Sequence, residues 1–359
     1  MTDFIVIGGG IAGVSAAARL SDLGRVLLLE AETGLGYHTS GRSAALYEET
    51  YGKPSTIALN LASKAYLAET NGGYLADRGL LLIGTAANAA LFDADMRDMH
   101  LQPLSAAETI ALVPILRPDV VTRGGFHPAA WDIDTDRLIQ DFARIVRHAG
   151  GEVRTGERVA AIRRDGGHWQ VVTAKGDYAA PVLVNAAGSW ADTVAALAGI
   201  APLALQPYRR SMARIPAPGG HDVSRWPMMF GAGEEWYAKP DAGALLVSPA
   251  EEHPMQPHDA YADDMVLAEG LARYEAVVTQ PVTRLLASWA GLRSFAPDRC
   301  LVLGPDPLQP GFVWVAGQGG YGFQTAPAAS RLVADLVGGR TPALDAASVA
   351  ALTPDRQRQ

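Results

Sequence analysis

A run of four apolar residues, Phe4-Ile5-Val6-Ile7, leads straight into Gly8-Gly9-Gly10 and then Ile11-Ala12-Gly13. The apolar run predicts a buried strand, and the residues from Ile11 to about Leu23 an amphipathic helix. Val26-Leu27-Leu28-Leu29 predicts a second strand that ends on Glu30. Gly8 permits the tight turn, Gly10 lets a pyrophosphate come up against the backbone, and Gly13 lets helix and strand pack closely. Phosphates at that point meet the free N–H groups and the positive end of the helix dipole. Glu30, roughly 20 residues beyond the turn, is placed to accept hydrogen bonds from a ribose. A glycine spacing alone is weak evidence. Strand, helix, second strand and acid together point to a dinucleotide.

Length and composition bound the class. At 359 residues the chain has room for about two domains. A hydrophobic content of 48% with 19% charged residues is ordinary for a globular enzyme. The net charge of -8 argues against a nucleic-acid partner, which needs a basic face. A single cysteine, Cys300, excludes an internal disulfide and fits a reducing cytoplasm. Asp3 ahead of the apolar run, with glycines interrupting it, speaks against a signal peptide. No apolar stretch reaches the about 18 residues of a spanning helix. The expectation is a soluble cytoplasmic protein with no transmembrane segment, no nucleic-acid partner and no metal site.

Beyond the first unit, Gly34 to Gly52 reads as a loop with a short helix, followed by a helix from about Thr56 to Glu69. Leu80 to Gly84 reads as a buried strand and Ala87 to His100 as a helix. Thr135 is the expected N-cap of a helix Asp136 to His148, stopped by Gly150-Gly151. Strand patterns follow at Val159 to Arg163, Trp169 to Thr173 and Val182 to Asn185, the last running into Ala186-Ala187-Gly188. From Pro202 to Ala287 the pattern turns to short alternating strands such as Met212 to Ile215 and Ala244 to Val247. Buried strands return at Leu301 to Leu303 and Val313 to Val315, then Gly317-Gln318-Gly319-Gly320 and a helix to about Val337.

Nucleotide-fold segments thus lie at both ends and in the middle. The expected architecture is α/β: a Rossmann-like cofactor domain of residues 1–78, 136–200 and 288–359, with a mostly antiparallel substrate domain of residues 79–135 and 201–287. A nicotinamide enzyme more often keeps its cofactor unit in one block. The discontinuity and the extra glycine turns favour FAD.

The chain resembles the D-amino-acid oxidase-like flavoproteins, the family of sarcosine oxidase and glycine oxidase. The residues that carry the resemblance are Ile7 to Gly13 with Glu30, Val184-Asn185-Ala186-Ala187-Gly188-Ser189-Trp190, Gly291-Leu292-Arg293 and Gly317 to Gly322. Longer stretches are similar to the D-arginine dehydrogenase branch: Gly41-Arg42-Ser43-Ala44-Ala45, Arg209-Arg210-Ser211, Trp226-Pro227-Met228, and Ser288 to Phe295. The resemblance implies non-covalent FAD and oxidation of an amine carbon. Hydride leaves the α-carbon of an amino acid, and the imino acid hydrolyses to a 2-oxo acid and ammonia. Oxygen or a quinone is the implied electron acceptor. Cys300 is read as a buried structural thiol.

An enzyme of this kind must hold a carboxylate so that the α-hydrogen faces the flavin, and a planar guanidinium does this best. By resemblance Arg210 and Arg293 bind the carboxylate, Tyr51 and Tyr237 line the pocket, and the Gly320 carbonyl receives the amine. Strand alternation lets only one of Arg209 and Arg210 face that pocket. Met228 and Phe230 match its apolar wall, with Leu46 and Glu48 on the facing loop. Gly8, Gly10, Ile11, Ala12, Gly13, Glu30, Arg42, Ser43, Ala44, Val159, Ala187 and Gly188 are expected at the cofactor. So are Arg293, Gly319, Gly320, Tyr321, Gly322, Gln324 and Thr325, the last at the start of the final helix.

One departure bears on the substrate. The acid that grips a cationic side chain in the D-arginine branch aligns with Gly79, and Leu46 stands where relatives have histidine. Either Glu48 supplies the lost charge or the pocket has turned apolar, and the second reading predicts uncharged, hydrophobic D-amino acids. Oxidation of a secondary or cyclic amino acid, or of a 2-hydroxy acid, is the alternative.

Overall fold

The computed structural model describes residues 2–357. The strand Phe4–Ile7 sits inside a six-stranded sheet, flanked in parallel by Val26–Leu29 and Val182–Asn185. Glu152–Arg154 extends it on one side; Phe312–Ala316 and then Val302–Pro305 extend it on the other, the last pair antiparallel. Parallel strands bury both faces, which is why Ile5, Val6, Leu28 and Leu29 are all apolar and all inaccessible. One face carries the helices Ile11–Leu20, Pro54–Glu69, Thr135–His148 and Gly322–Val337. The opposite face is covered by a three-stranded meander, Val159–Asp165, His168–Thr173 and Asp177–Ala180, with the helix Ala191–Leu197.

Three element boundaries differ from the sequence reading, each for a local reason. The helix expected to begin after Thr135 includes it, because the Asp134 carboxylate accepts the Arg137 N–H at 3.2 Å and caps the end. The first helix closes at Leu20 rather than Leu23. The loop Gly34–Gly52 hides a strand, Leu46–Glu48, whose partner Ala130–Ile133 lies far along the chain. Three residues carry too little periodicity to announce a strand.

A second, nine-stranded sheet forms the other domain. Its order is His253–Pro254, Gln206–Pro216, Ala244–Ser248, Tyr237–Asp241, Met228–Gly231, Leu80–Thr85, Val121–His127 and Gln102–Ser105. It is antiparallel except where Met228–Gly231 meets Leu80–Thr85. Ala287–Phe295, which the expected division grouped with the cofactor segments, pairs along nine residues of Gln206–Pro216 and so belongs to this sheet. Alternation explains the unbroken apolar run at Leu80: Leu81 and Ile83 face one core, while Leu80 and Leu82 face another on the opposite side.

Gly13 shows why the opening turn is so restrictive. A Cβ on Gly13 would collide with the Gly8 carbonyl, a backbone atom that has nowhere to move. Gly8 itself holds φ +110°. Gly13→Ala is expected to lower unfolding free energy by about 1–3 kcal/mol in urea titration, the usual cost of overpacking a tight contact.

Candidate active site

The glycine turn opens onto a cleft of ≈ 240 Å³. Gly8, Gly10, Glu30, Val159, Ala187 and Gly188 line it. Glu30 is held in place by its own backbone surroundings: one carboxylate oxygen accepts the Gly9 N–H at 2.5 Å, the other the Glu32 N–H at 2.8 Å. The cleft shares Gly10, Ser40, Gly188 and Ser189 with a second space of ≈ 100 Å³ lined also by Ile11, Ala12, Ser43, Gly319 and Gly322. That space in turn shares Ser43 with a third cavity of ≈ 120 Å³ over the second sheet. Three connected spaces, running from an acid at the end of the second strand to a cavity in the other domain, suit an extended dinucleotide. In the third cavity the buried Gln324 side chain offers an Nε2 donor with no partner among the described residues, while its Oε1 accepts the Glu48 N–H.

The third cavity gathers Tyr51, Arg210, Tyr237 and Arg293 with Leu46, Glu48, Met228 and Phe230. Strand register brings the two arginines together. Arg293 lies opposite Tyr208, and Tyr208 and Arg210 share a face, so Arg210 and Arg293 are diagonal neighbours across an antiparallel pair. Arg209 points the other way, toward Glu251 at 3.7 Å and Asp263 at 3.5 Å.

The arginines differ in their commitments. Arg210 donates through Nε to the Glu251 carbonyl at 3.0 Å, and its Nη2 lies 3.4 Å from Glu252. Burial and the neighbouring Arg293 charge both push its pKa down. Arg293, among the described residues, makes no ion pair and no side-chain hydrogen bond. Burial acts to lower its pKa, but Tyr237, Tyr51, Glu234 and Glu252 more than offset this and the net direction is upward. Its guanidinium lies against Gly320, where a Cβ would meet Nη1 at 3.3 Å. Burial, followed by the charge of Glu234, drives the Tyr51 phenol well above its ordinary pKa, so it stays neutral. Tyr321 lies tilted against Tyr51, ring centroids 5.4 Å apart, and burial raises its phenol too.

Two expected cofactor residues are spent elsewhere. The Arg42 guanidinium donates to the carbonyls of Ala260 at 2.8 Å and Ala290 at 2.9 Å and to Asp259 at 2.5 Å, tying the nucleotide loop to the second domain. Thr325 does not start the last helix, which begins at Gly322 with Tyr321 as its N-cap; its hydroxyl donates back to the Tyr321 carbonyl at 2.8 Å. Gly13 packs the helix rather than lining the cleft, while Ala44 lines the substrate cavity. Cys300 is buried beside Ser55 at 3.7 Å and lines none of these spaces. Gly79 leaves no room for an acid, since a Cβ there would meet the Phe126 ring at 2.9 Å.

Sequence reasoning missed Leu80, Met99, Glu234 and Trp236 in the cavity wall. Glu234 sits at φ +54° directly after Gly233 at φ +73°, so the Gly-Ala-Gly-Glu turn was the available clue. For the others nothing local distinguished a cavity wall from a core. The described residues contain no helix long and apolar enough to cross a membrane.

The family described as FAD dependent oxidoreductase, DAO, matches residues 3–336, and the chain belongs to it. It is an FAD-dependent oxidoreductase. Over 98% of its length it is 27% identical to the tRNA 5-methylaminomethyl-2-thiouridine biosynthesis bifunctional protein of Thiobacillus denitrificans, of which it spans 59%. It is 24% identical to N-methyl-L-tryptophan oxidase of Citrobacter koseri, with 96% of each chain covered. In fold it is similar to glycine oxidase from Geobacillus kaustophilus, with a TM-score of 0.81 at 24% identity over 97% of this chain and 98% of that one.

Arg42→Met separates the structural reading of that residue from a cofactor role. The variant is expected to lose about 1–3 kcal/mol of stability, because three acceptors lose a charged donor. It is expected to keep its flavin absorbance after gel filtration. Loss of the flavin with stability unchanged would return Arg42 to the cofactor.

Proposed function

We propose that this flavoenzyme oxidises a D-amino acid at its α-carbon. Arg293 supports this most directly: its half-buried guanidinium lines the cavity and, among the described residues, makes no ion pair and no side-chain hydrogen bond, which leaves its donors free for an anion. A substrate carboxylate fits the planar fork bidentately, and Arg210 approaches from the diagonal position with part of its valence still free. Two points of attachment orient a zwitterion; the Gly320 carbonyl is the proposed third, taking the amine. Tyr51 and Tyr237 wall the anchor, and Tyr51, held neutral, donates rather than competes for charge.

FAD, when bound, accepts the hydride that leaves the α-carbon. The chain's own contribution is orientation, exclusion of water and promotion of the neutral amine. Two guanidinium charges and a desolvating pocket both favour loss of the ammonium proton. The imino acid that results is hydrolysed by water to a 2-oxo acid and ammonia. Non-covalent flavin attachment is consistent with a buried Cys300 that lines none of the three spaces, and oxygen or a quinone is the proposed electron acceptor. The D configuration rests on the resemblance to the D-arginine branch. The preference for uncharged side chains rests on the wall of Leu46, Leu80, Met99, Met228 and Phe230.

Anaerobic mixing of the yellow protein with D- and L-amino acids, N-methyl and cyclic amino acids and 2-hydroxy acids tests this reading. D-Methionine, D-leucine and D-phenylalanine should bleach the flavin faster than D-arginine. Bleaching confined to 2-hydroxy acids would overturn it. Arg293→Met should raise KM by at least about 30-fold, equivalent to 2 kcal/mol or more, the range for removing one partner of a buried charge pair. An unaltered KM would take Arg293 out of the site.

A further inference from the structure

Two carboxylates line the substrate cavity, and they differ in kind. Glu234 is exposed on its turn, whereas Glu48 is only 5% exposed, at the end of the strand Leu46–Glu48. Every group that reaches the Glu48 carboxylate reaches the same oxygen. Oε1 accepts the Thr50 N–H at 3.0 Å and the Thr50 hydroxyl at 2.7 Å, with His127 Nε2 3.5 Å away. Among the described residues Oε2 has no hydrogen-bond partner. The cations on neighbouring segments are committed elsewhere: Lys239 to Asp132 at 2.8 Å and the Ala45 carbonyl at 3.1 Å, Lys64 to Glu49. Leu46, Leu80, Met99, Met228 and Phe230 supply the apolar part of the lining, beside the arginines, Tyr51, Tyr237 and Gln324. An acceptor oxygen that opens into a partly apolar cavity gains from a ligand group that donates to it.

We propose that Glu48 determines side-chain specificity. Its Oε2 accepts a hydrogen bond from an N–H or O–H at the far end of the substrate side chain. The preferred substrates are then D-amino acids with an apolar stem and an uncharged donor tip, such as a primary amide or a phenol. His127 Nε2 lies on the Oε1 side of the carboxylate, with Thr50, and leaves Oε2 to the cavity. This inference rests on the D-amino-acid reading above and refines it, from an apolar side chain to one that is apolar with a single polar end. Sites that hydrogen-bond a substrate group discriminate strongly against analogues that lack it, because the site's own polar group is left unpaired.

The test uses near-isosteric pairs on the holoenzyme: D-glutamine against D-methionine, and D-tyrosine against D-phenylalanine. The readout is the ratio of kcat/KM within each pair. At least one ratio is expected to favour the donor-bearing substrate about tenfold or more, and to fall toward one in both Glu48→Gln and Glu48→Met. Wild-type ratios near one in both pairs would overturn the proposal without any variant having to fold. So would a wild-type preference that survives in both variants. Failure of all four substrates to bleach the flavin would overturn the D-amino-acid reading along with it; bleaching by all four with equal efficiency would overturn the role of Glu48 alone.

Discussion

A charge without a protein partner organises this molecule. Removing a guanidinium from water is among the more expensive acts in folding, and chains normally accept it only with a counter-ion in place. Arg293 is desolvated beside Gly320 with no such ion among the described residues, and the neighbours that offset its burial are Tyr237, Tyr51, Glu234 and Glu252. Together they more than offset it, so the guanidinium keeps its charge. In the proposed reading a substrate carboxylate takes up the donors that Arg293 leaves free.

The two longest strands, paired with each other, set where Arg293 sits. Gln206–Pro216 and Ala287–Phe295 are hydrogen-bonded over nine residue pairs. A register slip of one residue would turn Arg210 outward and bring Arg209 in. Arg209 lies within ion-pair distance of Glu251 and Asp263, so the register also keeps that cluster out of the cavity. The nucleotide domain is tied to this frame by Arg42 and by His38, which lies 3.1 Å from Glu32 and 3.6 Å from Asp259. A cofactor cleft in one domain and an anion pocket in the other meet along Ser43 because those ties bring the loop between them.

Much of the fold was legible in advance. The opening strand, turn, helix and acid were readable because sterics allow little else: Gly8 holds a positive φ and Gly13 abuts the Gly8 carbonyl, two backbone requirements that no side chain can meet. The buried strands at Val182, Leu80 and Phe312 were legible from apolar runs alone. What resisted reading were elements stabilised from a distance. Leu46–Glu48 is a strand only because Ala130–Ile133 pairs with it more than eighty residues on, and Ala287–Phe295 joins the second sheet only through Gln206–Pro216. Arg42 illustrates the same limit for side chains. Its place beside the nucleotide loop suggested a cofactor contact, whereas its guanidinium is claimed by carbonyls of residues 260 and 290.

By itself the amino-acid order determined the dinucleotide turn and the alternation that separates Arg209 from Arg210, both of which depend on local geometry or residue type. Tertiary structure alone decided that Arg293 goes unpaired, that Arg210 lies diagonally beside it, and that Glu48 turns one oxygen to Thr50 and leaves the other free. Those outcomes depend on which distant groups arrive within hydrogen-bonding range, and range is set by strand register and domain packing rather than by neighbours in the chain.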